Sequence, residues 1–217
     1  MGDLRSRLRR IREAEKSGAP SPPPLPAVEE SASLPPGFGG EWKSAGFLTL
    51  KRTVRVDAAF ALPAAFPEAL VLLVPDLSRY GRIPLAADLL FFDLETTGLS
   101  SGAGTVAFLA AFGRFTAGGP GGGGPGAGAS EGGGSKPWGG LLITQYLLLD
   151  YPGEPDFLKA VTGEFDPPPG GRAPLAVSFN GKSFDAQILK TRFRMQGLAP
   201  PAYYHADLLH PARRLWK

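Results

Sequence analysis

Two carboxylates follow an apolar run in the stretch LLFFDLETTGLSSGAGT, which begins at Leu89 and ends at Thr105. Asp93 and Glu95 are two positions apart, so on a strand their side chains leave the same face. A charge at the end of a buried strand is unfavourable unless an opposite charge compensates it, and a divalent cation is a common partner where no basic residue is adjacent. The spacing therefore indicates that the strand directs both acids at metal.

A third acid, Asp185, follows a second apolar strand in the stretch PLAVSFNGKSFDAQIL. A helical crossover would return this strand parallel to the first, which brings the acids after both strands to one edge of the sheet. Three converging carboxylates raise one another's pKa unless cations keep them ionised. Oxygen ligands favour Mg²⁺ or Mn²⁺ over zinc. Two such ions, typically about 3.5–4 Å apart, can activate a water and stabilise the leaving oxygen of a phosphodiester.

Each motif alone also has a purely structural explanation. Asp93 could accept hydrogen bonds from backbone amides of the following turn, and Asn180 could cap the helix that carries Asp185. The metal interpretation is favoured because the two motifs occur together, at the strand ends where an α/β fold would bring them close.

The elements that must position these acids follow the order β-β-β-α-β-α-β-α. Three consecutive strands predict an antiparallel meander, and the fourth and fifth strands return through helices. A helix starts near Glu154, a second ends at Gly197, and a third begins in PARRLWK at the end of the sequence. We predict the strands over residues 89–94, 105–115, 141–149, 174–179 and 203–206.

The sequence divides into three regions. Residues 1–40 predict a basic helix followed by a Pro-rich disordered linker. Residues 41–86 form an N-terminal extension with a β-hairpin in GFLTLKRTVRVDAAF. Residues 87–217 hold the organised domain, in which the Gly-rich segment 118–140 is predicted to be a flexible insertion.

Composition and charge exclude several kinds of site. The chain has no cysteine and two histidines, which rules out disulfides and thiolate-bound or His-rich metal centres. The N-terminus lacks the apolar core of a signal peptide, and Pro63 and Pro67 interrupt the most apolar run. We therefore expect a cytoplasmic protein that does not enter a membrane. Residues 182–217 hold seven basic and two acidic residues, a balance that suits a bound polyanion or a solvated helix face.

Four segments resemble, in order, the YprB-like ribonuclease H-like family, a branch of the DnaQ-like (DEDD) 3′–5′ exonuclease superfamily. They are FFDLETTGLSSGAGTVAFL, QYLLLDYPGEPDFL, VSFNGKSFDAQILKTRF and HADLLHPARRLW. The resemblance covers residues 89–217 apart from the Gly-rich insertion. It implies a three-layer α/β fold of the RNase H type, with a mixed five-stranded sheet in the order 3-2-1-4-5. It also implies that Asp93 and Glu95 form the first exonuclease motif and Asp185 the second.

The resemblance further implies where substrate would lie. Thr96 follows the first motif and is expected near the terminal nucleotide. Asn180 and Phe184 precede the acid of the second motif, and Phe184 could pack on a base, under the strand or in the core. Lys182 and Arg192, together with Lys190 and Arg194, are candidates for phosphate contacts, because backbone charge dominates affinity for nucleic acid.

The superfamily pattern also requires a fourth acid on a late helix, preceded by His or Tyr. Tyr203 and Asp207 imitate that motif, but only one helix and a turn separate them from Asp185. We expect both to be structural, with Asp207 capping its helix. The last acid would then lie beyond Lys217, so that the domain is truncated at its C-terminus and this polypeptide alone is expected to retain residual activity at most.

These observations predict a metal-dependent 3′–5′ exonuclease domain. It would hydrolyse single-stranded ends of DNA or RNA, with Asp93, Glu95 and Asp185 holding two Mg²⁺ or Mn²⁺ ions. The alternative is a catalytically inactive nucleic-acid-binding or scaffold domain that keeps the same fold. The sequence does not indicate a protein partner or a preference between DNA and RNA.

Overall fold

The computed structural model describes residues 39–56, 74–98, 104–117, 138–167 and 172–216. All of them belong to one compact unit, Gly39–Lys217. The predicted N-terminal helix and most of the predicted Pro-rich linker fall in the other unit, Met1–Phe38, and lie outside the described residues.

One mixed sheet of seven strands forms the centre of the described unit. The strands in spatial order are β1-β2-β5-β4-β3-β6-β7. Their bounds are β1 Lys43–Gly46, β2 Thr49–Val56, β3 Leu89–Thr96, β4 Ala107–Ala117, β5 Trp138–Leu148, β6 Leu175–Ser178 and β7 Tyr204–Asp207.

The five strands predicted from the sequence are β3 to β7, and they lie side by side in the predicted order. The meander of β3, β4 and β5 is antiparallel, and β6 returns parallel to β3 with β7 parallel to β6. The prediction of a five-stranded sheet is wrong in number, since β1 and β2 extend it to seven. Strand β2 pairs with β5 from Thr49↔Leu148 to Val56↔Leu141. The hairpin therefore covers an edge that would otherwise expose unpaired N–H and C=O groups.

The hairpin of β1 and β2 lies in the region predicted as an N-terminal extension, and both strands belong to the same sheet as β3 to β7. The last three residues of the predicted flexible insertion, 118–140, belong to a strand. Residues 138–140 start β5, where Trp138 pairs with Ala117 of β4. Residues 118–137 lie outside the described residues.

Three α-helices and four short 3₁₀ turns complete the described unit. The helices are α1 Glu154–Thr162, α2 Asp185–Met195 and α3 Leu209–Leu215. The 3₁₀ turns are Pro75–Tyr80, Ala86–Asp88, Tyr151–Gly153 and Gly163–Phe165. Among the described residues, no helix is both long and apolar enough to cross a membrane.

The sheet buries side chains on both faces, and β3 shows which layer covers each. Leu90, Phe92 and Leu94 point to the face where α1 and α2 pack, in one large apolar core. Leu89 points to the opposite face. There it belongs to a smaller core that is closed by Leu77 and Tyr80 of the 3₁₀ turn Pro75–Tyr80. Because successive side chains alternate, Asp93 and Glu95 share the face of Leu89, beyond the part that this turn covers.

Candidate metal and substrate site

The first part of the candidate site is the end of β3. Asp93 and Glu95 are exposed on one face of the strand, as their spacing predicts. The next residue, Thr96, is half-buried, and its hydroxyl donates a hydrogen bond to the carbonyl of Gly98 at 2.9 Å. The strand therefore ends in a tight turn that leaves both carboxylates facing solvent.

The second part is the loop between β6 and α2, which packs tightly because of two residues. Asn180 has a φ of 65°, in the left-handed region that Asn tolerates better than most residues. A Cβ atom at Gly181 would collide with the side chain of Ser178 and lie 3.0 Å from the Oδ2 atom of Asp185. Only glycine therefore lets the backbone pass this close to Asp185.

Asp207, at the end of β7, holds this loop in place. Its Oδ1 atom accepts hydrogen bonds from the N–H groups of Asn180 and Leu209, each at 2.9 Å. Its Oδ2 atom accepts one from the N–H of Lys182, also at 2.9 Å. Burial acts to raise the pKa of Asp207, but these bonds outweigh it and hold the pKa below the usual value. Asp207 is not the N-cap residue of α3, which is Leu208, but it accepts the N–H of the first helical residue, and its two further bonds tie β7 to the loop.

Asp185, the first residue of α2, is the most perturbed acid of the group. Its side chain is buried, with 9% of the residue exposed. Burial, followed by the charges of Asp93, Asp207 and Glu95, raises its pKa to about 6. The like charges act on Asp185 because the ends of β3, β6 and β7 meet at the same edge of the sheet, as the predicted topology requires.

The carboxylates interact electrostatically without forming a ready-made coordination shell. Within the described part of the chain, no group of three or more acidic or histidine side chains is close enough to hold a metal ion as it stands. The raised pKa of Asp185 nevertheless shows that Asp93 and Glu95 are near enough to repel it. Both observations hold if Asp93, Glu95 and Asp185 lie at the same edge of the sheet while their carboxylate oxygens are further apart than those of ligands that bind one ion.

Two aromatic side chains stand on the loop beside Asp185. Phe184 is 39% exposed. This exposure excludes the core, which was one of the positions that the sequence left open for its ring. Phe179 is 63% exposed, although the sequence placed it in a buried strand. Strand β6 ends one residue earlier, at Ser178, which turns Phe179 out of the sheet. Lys182, between the two, is also exposed.

Arg192 does not reach this surface. Its residue is only 8% exposed, and its guanidinium makes two hydrogen bonds to the carboxylate of Glu154 at the start of α1. Gln196 donates to the same carboxylate. A phosphate contact by Arg192 is not supported by this position, because the side chain instead joins α1 to α2.

Tyr203 and the neighbouring His205 pack against the sheet. The Tyr203 ring stacks on Phe165, with centroids 4.5 Å apart. The Nε2 atom of His205 lies 2.8 Å from the Oγ atom of Ser178. Burial lowers the pKa of His205 to about 4 and, with a contribution from Asp185, raises that of Tyr203 to about 12. Both rings are therefore neutral near pH 7, in keeping with the structural role expected for Tyr203.

Comparison with known proteins agrees with this architecture. The family model described as the RNase_H superfamily matches residues 151–217, which include α1, β6, α2, β7 and α3. No solved structure gives a significant match to the chain.

A curated relative extends the similarity beyond that region. The chain is 32% identical over 133 residues to "Uncharacterized protein YprB" of Bacillus subtilis (strain 168). The match covers 60% of this chain and 26% of the relative, so the chain matches about a quarter of that protein's length. Taken with the strand order of the sheet, the two matches support a YprB-like, ribonuclease H-like domain in this chain.

Proposed function

We propose that this domain is a metal-dependent nuclease that removes nucleotides from the 3′ end of single-stranded DNA or RNA. The observation that supports it most directly is Asp185, whose pKa is raised by burial and then by the charges of Asp93, Asp207 and Glu95 at the shared edge of the sheet. Perturbed acids gathered at strand ends are typical of catalytic sites. The RNase H-like fold points to the same general class, nucleases and nucleic-acid-binding proteins.

The chemistry of the three acids fits Mg²⁺ or Mn²⁺. Asp93, Glu95 and Asp185 provide only oxygen donors, and their mutual repulsion would be relieved by a cation. Asp93 and Glu95 are exposed, and binding of an ion would require both side chains to turn towards Asp185. Bound divalent ions would supply electrostatic stabilisation of the attacking and leaving oxygens of the phosphodiester.

The remaining residues of the site would bind and orient the strand. Lys182, which is exposed, would contact a phosphate, and the exposed rings of Phe184 and Phe179 would contact bases. Asn180 would act through its backbone, since its left-handed conformation shapes the loop. Thr96 would lie beside the terminal nucleotide at the end of β3. Arg192 is left out of this set because Glu154 holds it in the interior.

A second candidate function is a nucleic-acid-binding domain without turnover. It is favoured by the absence, in the described ranges, of any acidic group already gathered to hold a metal. In that case the basic and aromatic loop between β6 and α2 would bind single strands, and Asp185 would remain a buried acid without a catalytic task.

The test uses the 217-residue chain and single-stranded DNA and RNA oligonucleotides labelled at the 5′ end. With Mn²⁺ or Mg²⁺ we expect residual cleavage that gives a ladder of products shortened from the 3′ end. Asp93→Asn and Asp185→Asn should lower the rate by about a hundredfold or more, since each removes a proposed metal ligand. Glu41→Gln, which neutralises a highly exposed acid on the hairpin side, is the matched control and should keep the rate.

The outcomes separate the two candidates. Binding of the oligonucleotides without any cleavage in either metal would support the non-catalytic domain. Cleavage that survives in Asp93→Asn would mean that a different site, or a contaminating nuclease, carries the activity.

A further inference from the structure

A pocket of about 370 Å³ lies between α2 and the chain segment that leads into β7. Asp185 does not line it, but the lining residue Ala186 follows Asp185 on α2, and the charge of Asp185 acts on the lining residue Tyr203. Its volume is within the range of small-molecule sites, at the lower end. The side chains that matter for its chemistry are Lys182, Gln187, Lys190, Tyr203 and His205.

The inner wall of the pocket carries two aromatic rings whose positions are fixed. Tyr203 is stacked on Phe165, and His205 lies with its ring centroid 5.4 Å from that of Phe92. Ser178 also holds the Nε2 atom of His205. These contacts hold both rings in place before any ligand arrives, which lowers the entropy lost on binding.

The outer wall is cationic. Lys190 lies one helical turn beyond Ala186, so both residues project from the same side of α2. Lys182 borders the pocket from the loop that precedes the helix. Gln187 adds an amide, whose nitrogen donates to the carbonyl of Lys182 at 3.3 Å while its oxygen remains an acceptor.

We propose that this pocket binds a single nucleotide unit, with its base against Tyr203 and His205 and its phosphate between Lys182 and Lys190. Fixed rings with a neighbouring amide suit a nucleobase, and two lysines at the rim suit a phosphate. The choice of ligand class rests on the proposed function, because a pocket beside Asp185 would receive a nucleotide of the bound strand or the released monophosphate.

The experiment measures binding of AMP, UMP, adenosine and inorganic phosphate to the full chain by calorimetry in EDTA. We expect both monophosphates to bind more tightly than adenosine or phosphate alone. Lys190→Ala should weaken AMP binding about tenfold or more, as expected for loss of one charged hydrogen bond. Ala186→Leu should abolish binding by filling the pocket.

The matched control is Lys159→Ala, which removes an exposed lysine from α1, a helix that does not line the pocket, and should leave AMP affinity unchanged. Melting temperatures of all variants establish that they are folded. Equal AMP affinity in wild type, Lys190→Ala and Ala186→Leu would overturn the proposal, as would phosphate binding as tightly as AMP.

The result is independent of nuclease activity because EDTA removes divalent ions. Loss of AMP binding in Ala186→Leu, together with no cleavage by the wild type in Mn²⁺, would support the nucleotide pocket and contradict the proposed nuclease activity. Cleavage by the wild type with no measurable AMP binding would support the nuclease activity and contradict the pocket.

Discussion

Asp185 is ionised near pH 7 in surroundings that favour its neutral form. Its pKa is raised from 3.8 to about 6 by burial and by the neighbouring acids. A carboxyl whose pKa is higher in the folded state favours folding most when it is protonated, below its unfolded pKa. That contribution is lost as the pH rises from about 4 through about 6. At pH 8 without metal, the ionised Asp185 therefore destabilises the fold.

We predict that Asp185→Asn stabilises the metal-free protein at pH 8. The change in pKa sets an upper limit of about 3 kcal/mol, and solvent around the exposed neighbours reduces the expected gain to about 1–2 kcal/mol. At pH 4 most of the gain should disappear, because the wild-type carboxyl is then largely protonated. Urea unfolding in EDTA at both pH values measures the difference.

The exposed Asp166→Asn serves as the control for that experiment and should change stability little at either pH. A variant at Asp185 that is less stable than wild type at pH 8 would mean that the carboxylate makes favourable contacts that outweigh the repulsion.

At the scale of elements, one side chain joins the end of β7 to the loop before α2. Asp207 accepts three backbone N–H bonds with two oxygens. In Asp207→Asn one oxygen becomes an NH₂ group, which cannot accept, so at least one partly buried N–H loses its partner. We predict a loss of about 1–3 kcal/mol for Asp207→Asn and at least as much for Asp207→Ala, measured by urea unfolding.

A metal titration separates this structural role from a ligand role. The melting temperature of Asp207→Asn should start lower than that of wild type and still rise with Mn²⁺, because ions that bind only the folded state stabilise it. Asp93→Asn should lose that rise. If both variants lose it together, Asp207 belongs to the metal site.

The sequence was sufficient for the order of these elements but not for their partners. Apolar runs and turn residues located β3 to β7 and α2, because those signals are local. The burial of Arg192 depends on Glu154, which lies 38 positions earlier on α1, and no local pattern indicates that pair. The exposure of Phe179 was missed for a related reason, since an apolar residue at the end of a strand can belong either to the strand or to the loop.

At the scale of the whole molecule, the hairpin of β1 and β2 completes one edge of the sheet. Its strands were expected, but their partner was not, because the paired residues of β2 and β5 lie 85 to 99 positions apart in the sequence. Two contacts with the region around α1 fix the hairpin further. The N–H of Phe47 donates to Asp156 at 2.8 Å, and a Cβ atom at Gly153 would lie 2.6 Å from Leu48. The hairpin thus supports α1, which in turn holds α2 and Asp185 through Glu154 and Arg192.

The same sheet determines how much of the Gly-rich segment the fold requires. Strand β4 ends at Ala117 and β5 begins at its register partner Trp138, so the two ends of residues 118–137 are already adjacent. Loop closure depends weakly on length, about 0.6 kcal/mol for each doubling. Replacing residues 118–137 with Asn-Gly should therefore leave the melting temperature unchanged or raise it by a few degrees.

Removing residues 118–140 instead should lower the melting temperature, because the pairs of Ala117 with Trp138 and of Thr116 with Gly140 are lost. If both deletions lower the melting temperature equally, residues 118–137 contribute packing of their own to the domain.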